Sequence, residues 1–242
     1  MEPGPDLAPF VAQYWAATWD LRGEPPYEQL IVPYPNVHVS FLNGVARVRG
    51  VARGHVIRVL HDQGWVFGAA FRPGCFRPWL GAPVSGITNR SLMARDVFGG
   101  DVPEEAMASA GDQRDRAAIM EGFLRAHLPD PDPTTEAVSE IVQLVASEPD
   151  ITRVSSLAQR VDVGVRRLQR LFAEYVGVGP KWVIRRYRLD EATKRMAAGA
   201  AVEWAGLAAE LGYADQAHFI RDFTAMVGET PAQYAQRYPH TS

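Results

Sequence analysis

The chain has 242 residues, 47% hydrophobic and 22% charged, with a formal net charge of −3. This is globular composition with enough apolar residues for a core, in one large or two small domains, and taken whole it argues against a basic nucleic-acid coat protein. One cysteine excludes an intrachain disulfide framework and a thiolate zinc cluster, no apolar run reaches the length of a membrane span, and the opening MEPGPDLAPF lacks the layout of a secretory signal, so the expectation is a soluble cytoplasmic protein.

In chain order, residues 28–71 read as strands. Gln29–Val32 is a short apolar run, and Val37, Val39 and Phe41 alternate with His38, Ser40 and Leu42. Asn43-Gly44 is a hairpin turn signal. Val45–Val48, His55–Leu60 and Trp65–Phe71 follow as further strands. Gln113–His127 predicts a helix with Ile119, Phe123 and Leu124 on one face. The expected fold class is α+β: a β-rich, barrel- or sandwich-like amino-terminal domain with flanking helices, residues 1–128, followed by an all-α domain. Residues 129–133, Pro-Asp-Pro-Asp-Pro, read as a linker, since three prolines in five residues cannot continue a helix. The second domain is then 134–242. It opens with a helix over Thr134–Ser147, marked by Val138, Ile141, Val142 and Val145 at helical spacing.

The second half contains an internal repeat. Leu157-Ala158 matches Leu207-Ala208 at an offset of 50. The offset becomes 51 at Leu168/Phe219, Arg170/Arg221, Phe172/Phe223, Gly177/Gly228 and Pro180/Pro231, so one extra residue sits in the second turn. Each copy reads as helix, tight turn, helix, the layout in which the second helix enters a DNA major groove. Ser156 with Gln159 fits a capping box for the helix Leu157–Val161. Val165–Val176 carries Leu168, Leu171, Phe172 and Tyr175 as an apolar stripe, and Arg166, Gln169, Arg170 and Ala173 as another. Arg can donate two bonds to guanine and Gln can pair with adenine; the alternative is a solvated charged face. In the second copy Phe219, Phe223 and Val227 face inward, while Gln216, Ala217, His218 and Arg221 point away. Pro180–Ala198 predicts a connecting helix of about 28 Å, close to one turn of DNA. Residues 151–199 hold eleven Lys and Arg against four Asp and Glu, a net +7, so phosphate attraction is expected mainly from the first repeat and from Arg185, Arg186, Arg188, Lys194 and Arg195.

The segment Leu207-Ala-Ala-Glu-Leu-Gly-Tyr-Ala-Asp-Gln-Ala-His-Phe-Ile-Arg-Asp-Phe223, ending Gly228-Glu-Thr-Pro231-Ala-Gln-Tyr234, resembles the AraC/XylS family of bacterial transcription regulators. Arg188-Leu189 with Ala192, and Leu168–Phe172, extend the resemblance over about 153–238. It implies seven helices with two helix-turn-helix units, and a sequence-specific regulator rather than an enzyme. By family position Arg166, Arg167, Gln169 and Arg170 would contact one major-groove segment, and Gln216, His218 and Arg221 the next. Gly164, Asp222 and Thr224 depart from the family pattern, Asp222 and Thr224 standing where basic residues are common. Val66–Gly74 and Glu121–Leu128 resemble the amino-terminal domain of a subgroup of that family. The implied partners are double-stranded DNA, a small-molecule effector or a second copy as a homodimer, and RNA polymerase. The alternative is an enzyme or small-molecule-binding domain fused to a DNA-binding module.

Other chemistry is sparse. His38, His55 and His61 stand apart without a His-x-His pair, and no nucleophile elbow, phosphate loop or dinucleotide fingerprint appears, so no cofactor or metal is expected. Cys75 reads as a small buried residue, with an oxidant-sensing thiolate as the alternative. Trp15, Trp65, Phe71 and Trp79 read as core aromatics, or as the lining of a ligand pocket.

Overall fold

The structure is a computed structural model describing residues 1–197 and 203–236. The expected helix end Ala198 lies outside the described residues. The amino-terminal half is built on a five-stranded antiparallel sheet of order β1-β6-β3-β4-β7, with β1 Val11–Leu21, β3 His38–Leu42, β4 Val45–Arg49, β6 Asp62–Phe71 and β7 Ser91–Met93. A separate two-stranded ribbon pairs β2, Tyr27–Ile31, with β5, Val56–Leu60. Asn43 and Gly44 both take positive φ, 48° and 88°, as the β3–β4 hairpin turn requires.

Strand parity divides the main sheet into two faces. Tyr14, Ala69, Val39 and Val48 share one row, and Phe67, Phe41 and Ala46 the next. This face is buried under α1 (Arg77–Leu80), α2 (Arg95–Phe98), α3 (Glu104–Ser109) and α4 (Gln113–Ala126) through Phe76, Trp79, Met107, Met120, Phe123 and Leu124. Asp112 caps α4, accepting from the backbone N–H of Arg114 and Asp115. Strand β1 lies outside the span that reads as strand in the sequence, for a physical reason. A bulge between Val11 and Gln13 breaks its alternation, and its outer face carries large residues, Trp15 and Trp19, instead of polar ones.

The carboxy-terminal half is helical. Helix α5, Pro133–Ser147, starts inside the proline run: Asp132 accepts from Thr134 N–H at 2.9 Å, and Pro133 sits where a missing N–H costs nothing. The repeat becomes α6 (Val154–Arg160) with α7 (Val165–Leu171), and α9 (Trp204–Glu210) with α10 (Gln216–Val227), joined by α8 (Pro180–Ala197) and closed by α11 (Pro231–Ala235). The two turns carry matching hydrogen bonds. Val163 N–H donates to Ala158 C=O, and Tyr213 N–H to Ala208 C=O. Asp162 (φ 50°) and Gly212 (φ 71°) hold the same left-handed position. Gly164 and Asp215 are the N-caps that follow, so Ala214 is the extra residue. Gly177 and Gly228 end the two second helices, both at φ 92°. Two local expectations shift. Helix α6 begins two residues before Ser156, with Arg153 as an N-cap in extended backbone, so Ser156 forms no capping box. The helix after Gly164 passes at Phe172 into a π-helical turn, Phe172–Val176.

The connecting helix belongs to both units. Val183 and Ile184 pack with Leu157, Leu168 and Phe172, while Leu189, Ala192 and Met196 pack with Leu207, Phe219 and Phe223. The amino-terminal half grips this helix in its middle. Arg186, 3% exposed, donates from Nε to the Pro33 carbonyl at 2.6 Å and stacks its guanidinium on the Tyr34 ring at 3.8 Å. Asp190, one turn on, pairs with Arg186 at 3.4 Å and Lys194 at 3.0 Å and accepts a hydrogen bond from the Tyr34 hydroxyl. Trp182 donates to the Arg53 carbonyl at 2.9 Å, Thr88 to the Gly177 carbonyl at 2.6 Å, and Arg77 pairs with Glu174 at 3.1 Å.

Removing one partner of the buried pair leaves the other charge unmatched. Asp190→Ala is expected to lose about 3–5 kcal/mol in urea unfolding, and Tyr34→Phe about 1–2 kcal/mol; an Asp190→Ala protein as stable as the parent refutes this account. Burial, aided by the charge of Arg49, pushes the His38 imidazole down to about 4. The unfolded chain therefore takes up a proton below about pH 6.5 that the folded chain refuses. Stability from this group is full above pH 6.5 and falls as pH drops towards 4, by up to about 3 kcal/mol. His38→Gln should flatten that part of a stability–pH curve.

Candidate nucleic-acid interface

Helix α7 starts at Gly164, an extended N-cap with no side chain to offer. Leu168 turns into the core, and Arg166, Arg167, Gln169 and Arg170 are all exposed. Helix α10 starts at Asp215, whose carboxylate accepts from His218 N–H at 2.7 Å. Phe219 and Phe223 are buried, and Gln216, Ala217, His218 and Arg221 face outward. Each second helix thus presents an exposed polar row opposite its core stripe, as the spacing predicts. Among the described residues, Arg166, Arg167, Arg170 and Arg221 are in no ion pair, so their guanidinium groups are available to an external partner.

His218 is more constrained than its neighbours. Its ring meets Tyr213 edge-on at 5.2 Å, and Nε2 lies 3.7 Å from the Asp222 carboxylate. Asp222 also pairs with Arg185 of α8 at 2.6 Å. The acidic departure at 222 therefore has a structural job: it ties α10 to the connecting helix.

The expectation that α8 shares the phosphate attraction with the first repeat is corrected for most of its cations. Arg186 is buried against Pro33 and Tyr34, Lys194 pairs with Asp190, and Arg195 pairs with Glu191 and Glu210. Arg188 lies 4.2 Å from the Tyr213 ring centroid, with burial lowering its pKa. A helix with a polar charge count can spend its cations inside the molecule, and composition alone cannot see this. A feature absent from the sequence reading is a cleft of about 210 Å³ between the start of α6 and α8, lined by Thr152, Arg153, Val154, Lys181, Ile184, Arg185 and Arg188. Packing of α6 on α8 in one core brings these residues together, and Thr152 also lies against the turn at Gly212.

Cys75 is buried, and burial raises its thiol pKa, which disfavours the thiolate that oxidant chemistry needs. The four aromatics do not share a pocket. Phe71 and Trp79 lie in the core, Trp65 stacks under Arg116 at 3.8 Å, and Trp15 lies on the opposite face of the sheet.

Residues 157–237 match the sequence model of a helix-turn-helix domain, and residues 1–93 match that of a domain of unknown function, DUF6597. The carboxy-terminal half is an AraC-type helix-turn-helix domain. The chain accordingly carries a DNA-binding helix-turn-helix domain over residues 157–237. Similar solved structures include an apo lysine-to-alanine variant of ToxT from Vibrio cholerae, 14% identical over 98% of this chain and 100% of that one, with a TM-score of 0.46. A wild-type ToxT with bound unsaturated fatty acid is 15% identical over 92% and 94% of the two chains, with a TM-score of 0.45. A probable AraC family regulator from Rhodopseudomonas palustris is 24% identical over 43% of this chain and 97% of that one, with a TM-score of 0.38. No curated protein matches the sequence. No helix among the described residues is long and apolar enough to cross a membrane.

Asp222→Ala frees Arg185 and His218 of the AraC-type domain from their shared carboxylate. In DNA titrations at several salt concentrations, the slope of log affinity against log salt is expected to steepen by about one. An unchanged slope would show that Arg185 stays away from DNA.

Proposed function

We propose that residues 134–242 read two successive major-groove segments, α7 through Arg166, Gln169 and Arg170 with Arg167 beside them, and α10 through Gln216, His218 and Arg221. The observation that carries this reading is the duplication. Two helix-turn-helix units share hydrogen-bonded turns, present exposed second helices, and are joined by one 18-residue helix packed into both cores. That helix is about 27 Å long, close to the spacing of adjacent major grooves on one side of a duplex. Residues 1–128 act as a sensing domain that controls DNA binding through its grip on α8, with residues 129–133 as the joint between the two. The whole is a cytoplasmic regulator without catalytic activity.

The roles of the two helices differ. Helix α7 has three exposed cations in no ion pair, whereas α10 has Arg221 and a histidine already engaged by Tyr213 and Asp222. On a bound operator fragment, Arg170→Ala is expected to weaken affinity by about 1–3 kcal/mol, and Arg221→Ala by less. Equal losses would overturn the ranking, and no loss at Arg170 would remove it from the reading helix.

A further inference from the structure

The outer face of the amino-terminal sheet carries charge that the DNA-binding reading does not use. Register sets its composition. Trp15, Gly68, Ser40 and Arg47 form one row across β1, β6, β3 and β4, and the next row holds His38 opposite Arg49. Trp15 lies flat over Gly68, where an added Cβ would come within 2.7 Å of the indole. The Trp15 Nε1–H donates to His38 Nδ1 at 3.2 Å, so the neutral imidazole keeps its proton on Nε2 as a spare donor. Arg49 donates from Nε to the buried Ser40 hydroxyl at 3.1 Å. Arg58 comes from the ribbon β2–β5, close enough for its charge and that of Arg47 to act on Arg49.

Arg47 and Arg49 thus share one face with Trp15 and His38, Arg58 is near enough for its charge to act on Arg49, and among the described residues none of the three is in an ion pair. Burial first, then Arg58 and Arg47, push Arg49 down to about 10. Like charges gathered on a half-buried face oppose folding, and an anion bound among them would offset that cost. We propose that Arg47, Arg49 and Arg58, with Trp15 and His38, bind a small organic oxyanion, its acid group on the guanidiniums and its apolar body on the indole. Bidentate Arg–oxyanion pairing and stacking on a tryptophan are the matching chemistry.

The site has a route to the DNA-binding half. The ribbon that carries Arg58 also packs on the second helix-turn-helix unit, with Leu30 at Gly228 and His55 Nδ1 3.3 Å from the Ala225 carbonyl. Drawing Arg58 onto an anion would pull on that contact. This regulatory role rests on the proposed function; the binding itself does not.

The full chain is titrated with benzoate, hexanoate and inorganic phosphate at fixed ionic strength, with benzamide as the uncharged control, following tryptophan fluorescence and heat. At least one anion is expected to bind saturably and benzamide not at all. Arg47→Gln with Arg49→Gln should weaken binding about tenfold or more while leaving the melting temperature equal or higher, because repulsion is relieved. Arg58→Gln, on the ribbon, provides a second variant should the double variant fail to fold. Preference for benzoate or hexanoate marks a carboxylate ligand, and preference for phosphate a phosphate ester. No saturable anion binding, equal binding of benzamide, or undiminished binding in the folded variants overturns the site. DNA affinity of the same variants, measured without anion, tests the DNA-binding reading separately.

Discussion

The buried guanidinium of Arg186 organises the molecule. It sits at the midpoint of the helix that both helix-turn-helix units share, and it is satisfied by the amino-terminal half through the Pro33 carbonyl and the Tyr34 ring. A charge removed from water needs such partners or it unfolds its surroundings. Asp190 completes the arrangement from one turn away. The helix is thus fixed at three levels: by the first core at Val183 and Ile184, by the clasp at Arg186, and by the second core at Leu189 and Met196. Any change in how the β-rich half meets residues 186–190 reaches both α7 and α10 through one rigid element.

Charge shows how a local sum misleads even after the global one has been corrected. The net −3 of the chain conceals a basic stretch over 151–199. Within that stretch the connecting helix turns most of its cations towards Asp190, Glu191, Glu210, Asp222 and the Tyr213 ring. Among the described residues of the helical half, the exposed cations in no ion pair are Arg153, Lys181, the three of α7 and Arg221. The contrast between the two reading helices follows from Asp222 more than from any difference in their apolar stripes.

Elements that announce themselves through turn chemistry were legible in the sequence. The matched glycines 177 and 228 end the two second helices, and the Asn43-Gly44 hairpin stands where the local pattern puts it. So does the one-residue insertion, now placed at Ala214. Strand β1 was not legible, because tryptophans occupy the face that usually carries polar residues. The start of α6 shifted because an extended backbone at Arg153 served as N-cap without a capping side chain. The arginine cluster could not be read at all. It needs the register of β3 against β4 and the fold of the ribbon, and neither is written in spacing along one chain. The exposed rows of α7 and α10 were readable because helical periodicity alone separates them from Leu168, Phe219 and Phe223.

Val51 is a short residue in a loop of the amino-terminal half, and it is 1% exposed because it plugs the core made by Val138, Leu168, Phe172 and Val183. The first helix-turn-helix unit therefore completes its interior with a side chain lent from the other side of the proline run. A carboxy-terminal half cut free at that run keeps every residue of α7 and α10, yet loses the isopropyl group that closes the core beneath α7. The boundary between the domains in sequence is not the boundary between their cores.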